Sequence, residues 1–187
     1  MSSAISIVGY ASLASLLCGA VLFDLSSRRI PNRLVLVGIG LAFALHAVAT
    51  ISASHSLAGR EWWTPLAGLA TGLALLMPLH LLQAMGAGDV KLMAMVGAFI
   101  GASATLSATL YTLLAGGLLS LVYMVGRGVA AQTLANVRLM LTDWVQRAGT
   151  GQGARLAPLQ TTAARLPYGV AIAMGTAASL LWPLANS

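Results

Sequence analysis

Apolar runs of nearly membrane-spanning length, separated by short polar gaps, dominate the chain. The first runs from about Ala4 to Phe23 without a charge, and a polar loop, Asp24 to Arg33, follows it. The second runs from about Leu34 to Ile51, and the third from about Pro65 to Met85. Between them, Ser52 to Thr64 carries His55, Arg60, Glu61 and the pair Trp62 and Trp63. Tryptophan favours the membrane–water boundary, so this pair marks an interface. Uncharged runs of roughly 20 residues suffice to cross a bilayer core. The pattern predicts transmembrane helices.

Gly86-Ala87-Gly88-Asp89-Val90-Lys91 interrupts the apolar pattern, and no charge follows from Leu92 to Gly126. At about 1.5 Å per residue, one helix over that stretch is far longer than a bilayer is thick. Gly101-Ala102-Ser103 offers a turn, predicting a short fourth span, partly buried in protein, and a fifth from about Thr105 to Gly126. Residues 127–165 form the one long polar segment. There Leu134, Val137, Leu141 and Trp144 recur at helical spacing, with Arg138, Asp143 and Arg147 elsewhere around the helix. That is the pattern of an amphipathic helix on a membrane surface. Gly149 to Gly153 reads as linker, and a sixth span runs from about Leu166 to Leu184. The expectation is an all-α, polytopic integral membrane protein of about six spans, forming one membrane-embedded domain over residues 1–187.

Composition agrees. Of the 187 residues, 58% are hydrophobic and 7% are charged, against about a quarter charged in an ordinary soluble domain. A net charge of +6 raises the question of nucleic acid, but binding it needs basic residues gathered on a solvated face. Here they sit in gaps between apolar runs and set topology; no nucleic-acid partner is expected. The single cysteine, Cys18, excludes an intrachain disulfide and a CxxC zinc site. No Lys or Arg precedes Arg28, unlike the basic opening of a signal peptide, so the first run is expected to remain as a span. Placing Asp24–Arg33, Gly86–Lys91 and 127–165 on one side collects nine of the ten Lys and Arg residues there, leaving Arg60 opposite. By the positive-inside rule that side is cytoplasmic and both termini are periplasmic.

Four acidic residues remain to be assigned. Glu61 and Asp143 fall in polar segments and read as solvated charges. Asp24 and Asp89 each directly follow an apolar run. Two spans separate them, so both emerge on the same side, at the ends of parallel helices that can pack together. Ionisable groups at membrane depth are expensive and usually functional. A converged carboxyl pair shares one proton, which suits hydrolysis: one carboxyl takes a proton from water while its protonated partner hydrogen-bonds the scissile carbonyl. Topology alone equally allows Asp24 to act as an N-cap or a partner for Arg28, and Asp89 to pair with Lys91.

Local motifs shift that balance. Gly86-Ala87-Gly88-Asp89 resembles the GxGD signature of prepilin peptidases, preflagellin peptidases and presenilin-like proteases. Glycines beside the acid permit close backbone approach. A phosphate-binding glycine loop needs a strand–loop–helix setting that is not found here. The segment from Asp24 through Ile30-Pro31-Asn32 is similar to the first-aspartate loop of prepilin peptidases. Gly86 through Leu92 is similar to their second-aspartate motif with its lysine, and Leu166-Pro167-Tyr168-Gly169-Val170-Ala171 to the start of their last helix. The resemblance to the type IV prepilin peptidase family implies Asp24 and Asp89 as catalytic residues, with neither metal nor cofactor. It further implies cleavage of pilin or pseudopilin precursors after a short basic leader, at the cytoplasmic face of the bacterial inner membrane. The first loop lacks the cysteine-bearing insertion of bifunctional members, which argues against methyltransferase activity. The sequence resembles the short peptidases of Flp-type, tight-adherence pili.

Supporting residues follow. Pro31 restricts Ile30 to extended backbone, and Asn32 is placed to cap the second span. Gly86 and Gly88 support the second motif. Lys91 and Arg28 are candidates to meet an acidic residue early in the mature pilin, and Tyr168 to reach the dyad or the substrate. His46 and His80 lack neighbours at metal-ligand spacing and read as packed helical residues. Gly68/Gly72 and Gly97/Gly101 form GxxxG patterns for close helix packing. Two other classes remain compatible with such aspartates: an ion-coupled transporter using them as proton sites, and a non-catalytic secretion scaffold.

Overall fold

The computed structural model describes residues 2–52, 56–82, 85–128, 135, 138, 142 and 168–182. The described elements are five helices: α1 (Ser2–Ser27), α2 (Asn32–Ile51), α3 (Thr64–Leu81), α4 (Ala87–Gly126) and α5 (Tyr168–Leu181). Four of these, α1 to α4, are long and apolar enough to cross a membrane. At 14 residues, α5 is shorter than the expected sixth span, rising about 21 Å against a bilayer core of about 30 Å. The chain divides into two compact units, residues 1–116 with 167–187 and residues 117–166. In the second, the Arg127 guanidinium lies over the Tyr123 ring, 5.4 Å from its centroid. The positions expected to form the apolar face of the amphipathic segment, the 149–153 linker and His55 lie outside the described residues.

Helix boundaries depart from the hydropathy pattern at the polar gaps. Asp24 was expected in a loop, yet α1 runs on to Ser27. Nothing in Leu25-Ser26-Ser27 breaks a helix, and the Ser26 and Ser27 hydroxyls donate back to the Phe23 carbonyl at 3.3 and 2.8 Å. The helix ends where Arg28 takes a left-handed φ of 52°, its N–H still closing on the Asp24 carbonyl at 3.0 Å. Pro31 then occupies the N-cap position of α2 without a side-chain cap bond. Asn32 is therefore the first helical residue and not the expected cap. Similarly, α4 starts at Ala87, so Asp89 lies on its first turn.

The break expected in the long uncharged stretch falls at Gly101, with φ 77° and ψ 172°. A side chain there would strike the Ala58 carbonyl as well as strain the backbone. Every residue from Leu92 to Gly101 is buried, with Gly38 of α2 close against Met95 and Gly68 and Gly72 of α3 against Gly97 and Met93. Such all-round burial explains the unbroken apolarity of this part of α4. Gly68 and Gly97 meet backbone to backbone where α3 crosses α4, leaving no room for a Cβ on either. Elsewhere α1 packs against α2 and α5, and α2 against α3. Large apolar side chains such as Leu22, Leu36, Val37 and Leu66 face outward, as on a surface that meets lipid.

Candidate active site

Asp24 sits on the last turn of α1 and is only 7% exposed. Its Oδ2 accepts a hydrogen bond of 2.7 Å from the backbone N–H of Gly169, 145 positions away. Gly169 is the second residue of α5, and the first amides of any helix lack intrahelical partners. One bond therefore satisfies both a buried carboxyl and a helix terminus. The approach is close: a Cβ on Gly169 would stand 2.9 Å from Asp24 Oδ2 and 3.2 Å from Asp24 Cβ.

Asp89 is the third residue of α4. Its Oδ2 accepts from the Gly86 N–H at 3.2 Å, and its own N–H donates to the Gly86 carbonyl at 3.2 Å. A third-position acid reaching back to the N-cap amide is half of a capping box. Each aspartate is thus tied through Oδ2 to the amide of a glycine at the start of a helix, leaving Oδ1 for other work.

The two aspartate motifs touch directly. A Cβ on Gly88 would lie 3.4 Å from Ile30 Cβ, and Lys91 Nζ donates to Asn32 Oδ1 at 3.1 Å. Lys91 therefore pairs with the first-aspartate loop. Gly86, Gly88, Lys91, Pro31 and Asn32 all gather around this contact, while Arg28 stands exposed at the end of α1. Tyr168 is half-buried next to Gly169, its ring packed on Gly116: a Cβ there would lie 2.9 Å from Cε1. His46 bonds to Ser56 Oγ at 2.6 Å and the Glu61 carbonyl at 3.0 Å, and His80 to the Met85 carbonyl at 3.1 Å. Among the described residues no three His, Cys, Asp or Glu side chains converge as metal ligands do.

Residues 11–121, more than half of the chain, match the type IV leader peptidase family. The chain belongs to that family. The matched segment of this leader-peptidase-family protein contains Asp24, Ile30-Pro31-Asn32 and Gly86 through Lys91. Family membership makes the chain a peptidase, of a generally aspartic kind. Comparison with curated proteins and with solved structures gave no match.

Beyond the matched segment lies Gly169. Sequence reasoning singled out its neighbour Tyr168 and passed over the glycine. The available signal was positional: a glycine directly after Pro167-Tyr168, where a helix begins and where close backbone approach is the one property glycine supplies.

Proposed function

We propose that this family member is a prepilin leader peptidase with Asp24 and Asp89 as its catalytic pair. The observation that carries the reading is the meeting of three separated motifs, with each aspartate anchored through a single carboxyl oxygen. Anchoring of that kind suits a pair that must hold a water and a scissile carbonyl between them. One carboxylate takes a proton from water as the oxygen attacks the carbonyl carbon, while the protonated partner donates a hydrogen bond to the carbonyl oxygen. When the tetrahedral intermediate collapses, the proton taken from water passes to the leaving amine, and the pair returns to its starting state.

The substrate in this reading is a Flp-type pilin precursor whose apolar helix lies along the spans. Its leader junction then meets the pair at the cytoplasmic boundary of the inner membrane. The count of basic residues on the side of both aspartates supports that orientation. In this reading the stretch after the Gly101 break and the apolar run of about Leu166 to Leu184, of which α5 is part, supply the fifth and sixth crossings. The test is cleavage of a co-expressed Flp-type prepilin by wild type, Asp24→Asn and Asp89→Asn at equal membrane abundance. Cleavage by wild type alone is the expected result. Equal processing by all three removes the two-aspartate mechanism.

A further inference from the structure

Resting on the two-aspartate reading, we infer that the start of α5 is a positioning element for the reaction: the Gly169 amide fixes the Asp24 carboxyl, and the Tyr168 ring fixes the amide. An aspartate side chain turns about two torsions, and useful catalytic geometry tolerates errors of only about 0.5 Å and 10–20°. The contact to Gly169 removes that freedom. With Oδ2 held at 2.7 Å by the amide, Oδ1 is the oxygen left to face the water. The donor belongs to another element, so the aim of the carboxyl depends on where α5 docks.

The docking of α5 is itself narrowly set. At Gly169, a Cβ would press on Asp24 Oδ2, Cβ and Cγ at 2.9, 3.2 and 3.3 Å, so only glycine brings the amide this near. The neighbouring Tyr168 ring fills the space over Gly116, where a Cβ would meet Cε1 at 2.9 Å. Two turns further along, a Cβ on Gly175 would fall 2.6 Å from Thr112 Cα. These contacts fix the register of α5 along its axis. A slip of one residue, about 1.5 Å, breaks the bond to Asp24. Tyr168 thus acts through the packing of its ring on Gly116.

The test uses the full chain, made by cell-free synthesis into lipid nanodiscs, cleaving a Flp-type prepilin, with rates expressed per folded enzyme. Glycolic acid in place of Gly169 turns the amide into an ester, deleting the N–H without adding a Cβ. The expected result is a kcat lower by roughly ten- to hundredfold, the size of one lost hydrogen bond to a carboxyl group, with KM unchanged. The matching ester at Val170 retains wild-type kcat. Tyr168→Ala lowers kcat without changing KM. A wild-type kcat for the Gly169 ester overturns the inference, as does an equal loss at Val170 or a change confined to KM. Full cleavage by Asp24→Asn in the same assay instead sinks the two-aspartate reading beneath it, so the two failures are distinct.

Discussion

Lys91 Nζ donates a 3.1 Å hydrogen bond to Asn32 Oδ1, tying the second aspartate motif to the first across 59 positions. The bond uses two residues whose simpler roles, charge partner for Asp89 and cap for α2, the structure does not realise. Both side chains are exposed, so the bond is worth about 1 kcal/mol, the ordinary net value. Asn32→Ala and Lys91→Met should each slow prepilin cleavage by roughly fivefold, which is that energy expressed as a rate. The double variant should be no slower than the singles. A double-mutant cycle measures this; strictly multiplicative losses mean the bond plays no part in holding the site.

Lys91 and Arg28 also stand near the proposed leader junction as exposed cations. If an acidic residue early in the mature pilin meets one of them, Lys91→Glu or Arg28→Glu should lower cleavage of the natural precursor. A precursor with that acid reversed to Lys should recover turnover with the matching variant. Competition between the two precursors in one reaction reads the preference. Unchanged turnover in both variants removes this contact from the recognition scheme.

The unequal burial of the aspartates predicts unequal structural costs. Asp24→Asn retains an oxygen for the Gly169 amide, so it should fold like wild type while losing cleavage. Asp24→Ala leaves that amide buried without an acceptor, at a cost of about 1–3 kcal/mol. Asp89→Ala frees only the amide of exposed Gly86, which water can reach, and should cost less than about 1 kcal/mol. Thermal unfolding in detergent checks the order. Equal midpoints for both alanine variants show that the Gly169 bond contributes nothing to stability.

What was legible in the sequence was local. The runs that became α1 to α4 announce themselves by the absence of charge, and the break at Gly101 by a glycine in a run too long for one span. The Gly68 and Gly97 crossing was legible as GxxxG patterns. The all-α class and the family followed from such features. The segment after the first run was read as a loop from Asp24 although α1 continues to Ser27, because Ser26, Ser27, Arg28 and Arg29 have loop-like composition. Helix termination there is set instead by a left-handed turn at Arg28. Asn32 and Gly169 have partners 59 and 145 positions away. No pattern within their own segments encodes those contacts.

The Gly68 crossing carries its own prediction. A Cβ on Gly68 runs into Gly97 carbonyl carbon at 2.7 Å and Gly101 Cα at 2.9 Å. Backbone atoms cannot relax by a rotamer change, so Gly68→Ala must push α3 off the core helix. Overpacking of this kind costs about 1–3 kcal/mol or more. Gly40→Ala is the control, since a Cβ there meets nothing within 4 Å. The expected readout is a lowered unfolding midpoint and lower membrane abundance for Gly68→Ala alone. Matched behaviour of the two variants means the crossing tolerates expansion.

His46 gives the sharpest separation of stability from chemistry. It is buried on α2 and bonds through Nδ1 to Ser56 Oγ and through Nε2 to the Glu61 carbonyl. A carbonyl can only accept, so Nε2 carries a proton and His46 staples the 56–61 loop to the helix. That staple lies roughly 20 Å along α2 from Asn32, at 1.5 Å per residue. His46→Phe keeps the bulk but loses both bonds, at a cost of about 1–3 kcal/mol. The unfolding midpoint should fall and protease cutting within residues 56–61 should rise, while kcat per folded enzyme stays at the wild-type value. A fall in kcat with an unchanged midpoint ties this histidine to the chemistry at the other end of the helix.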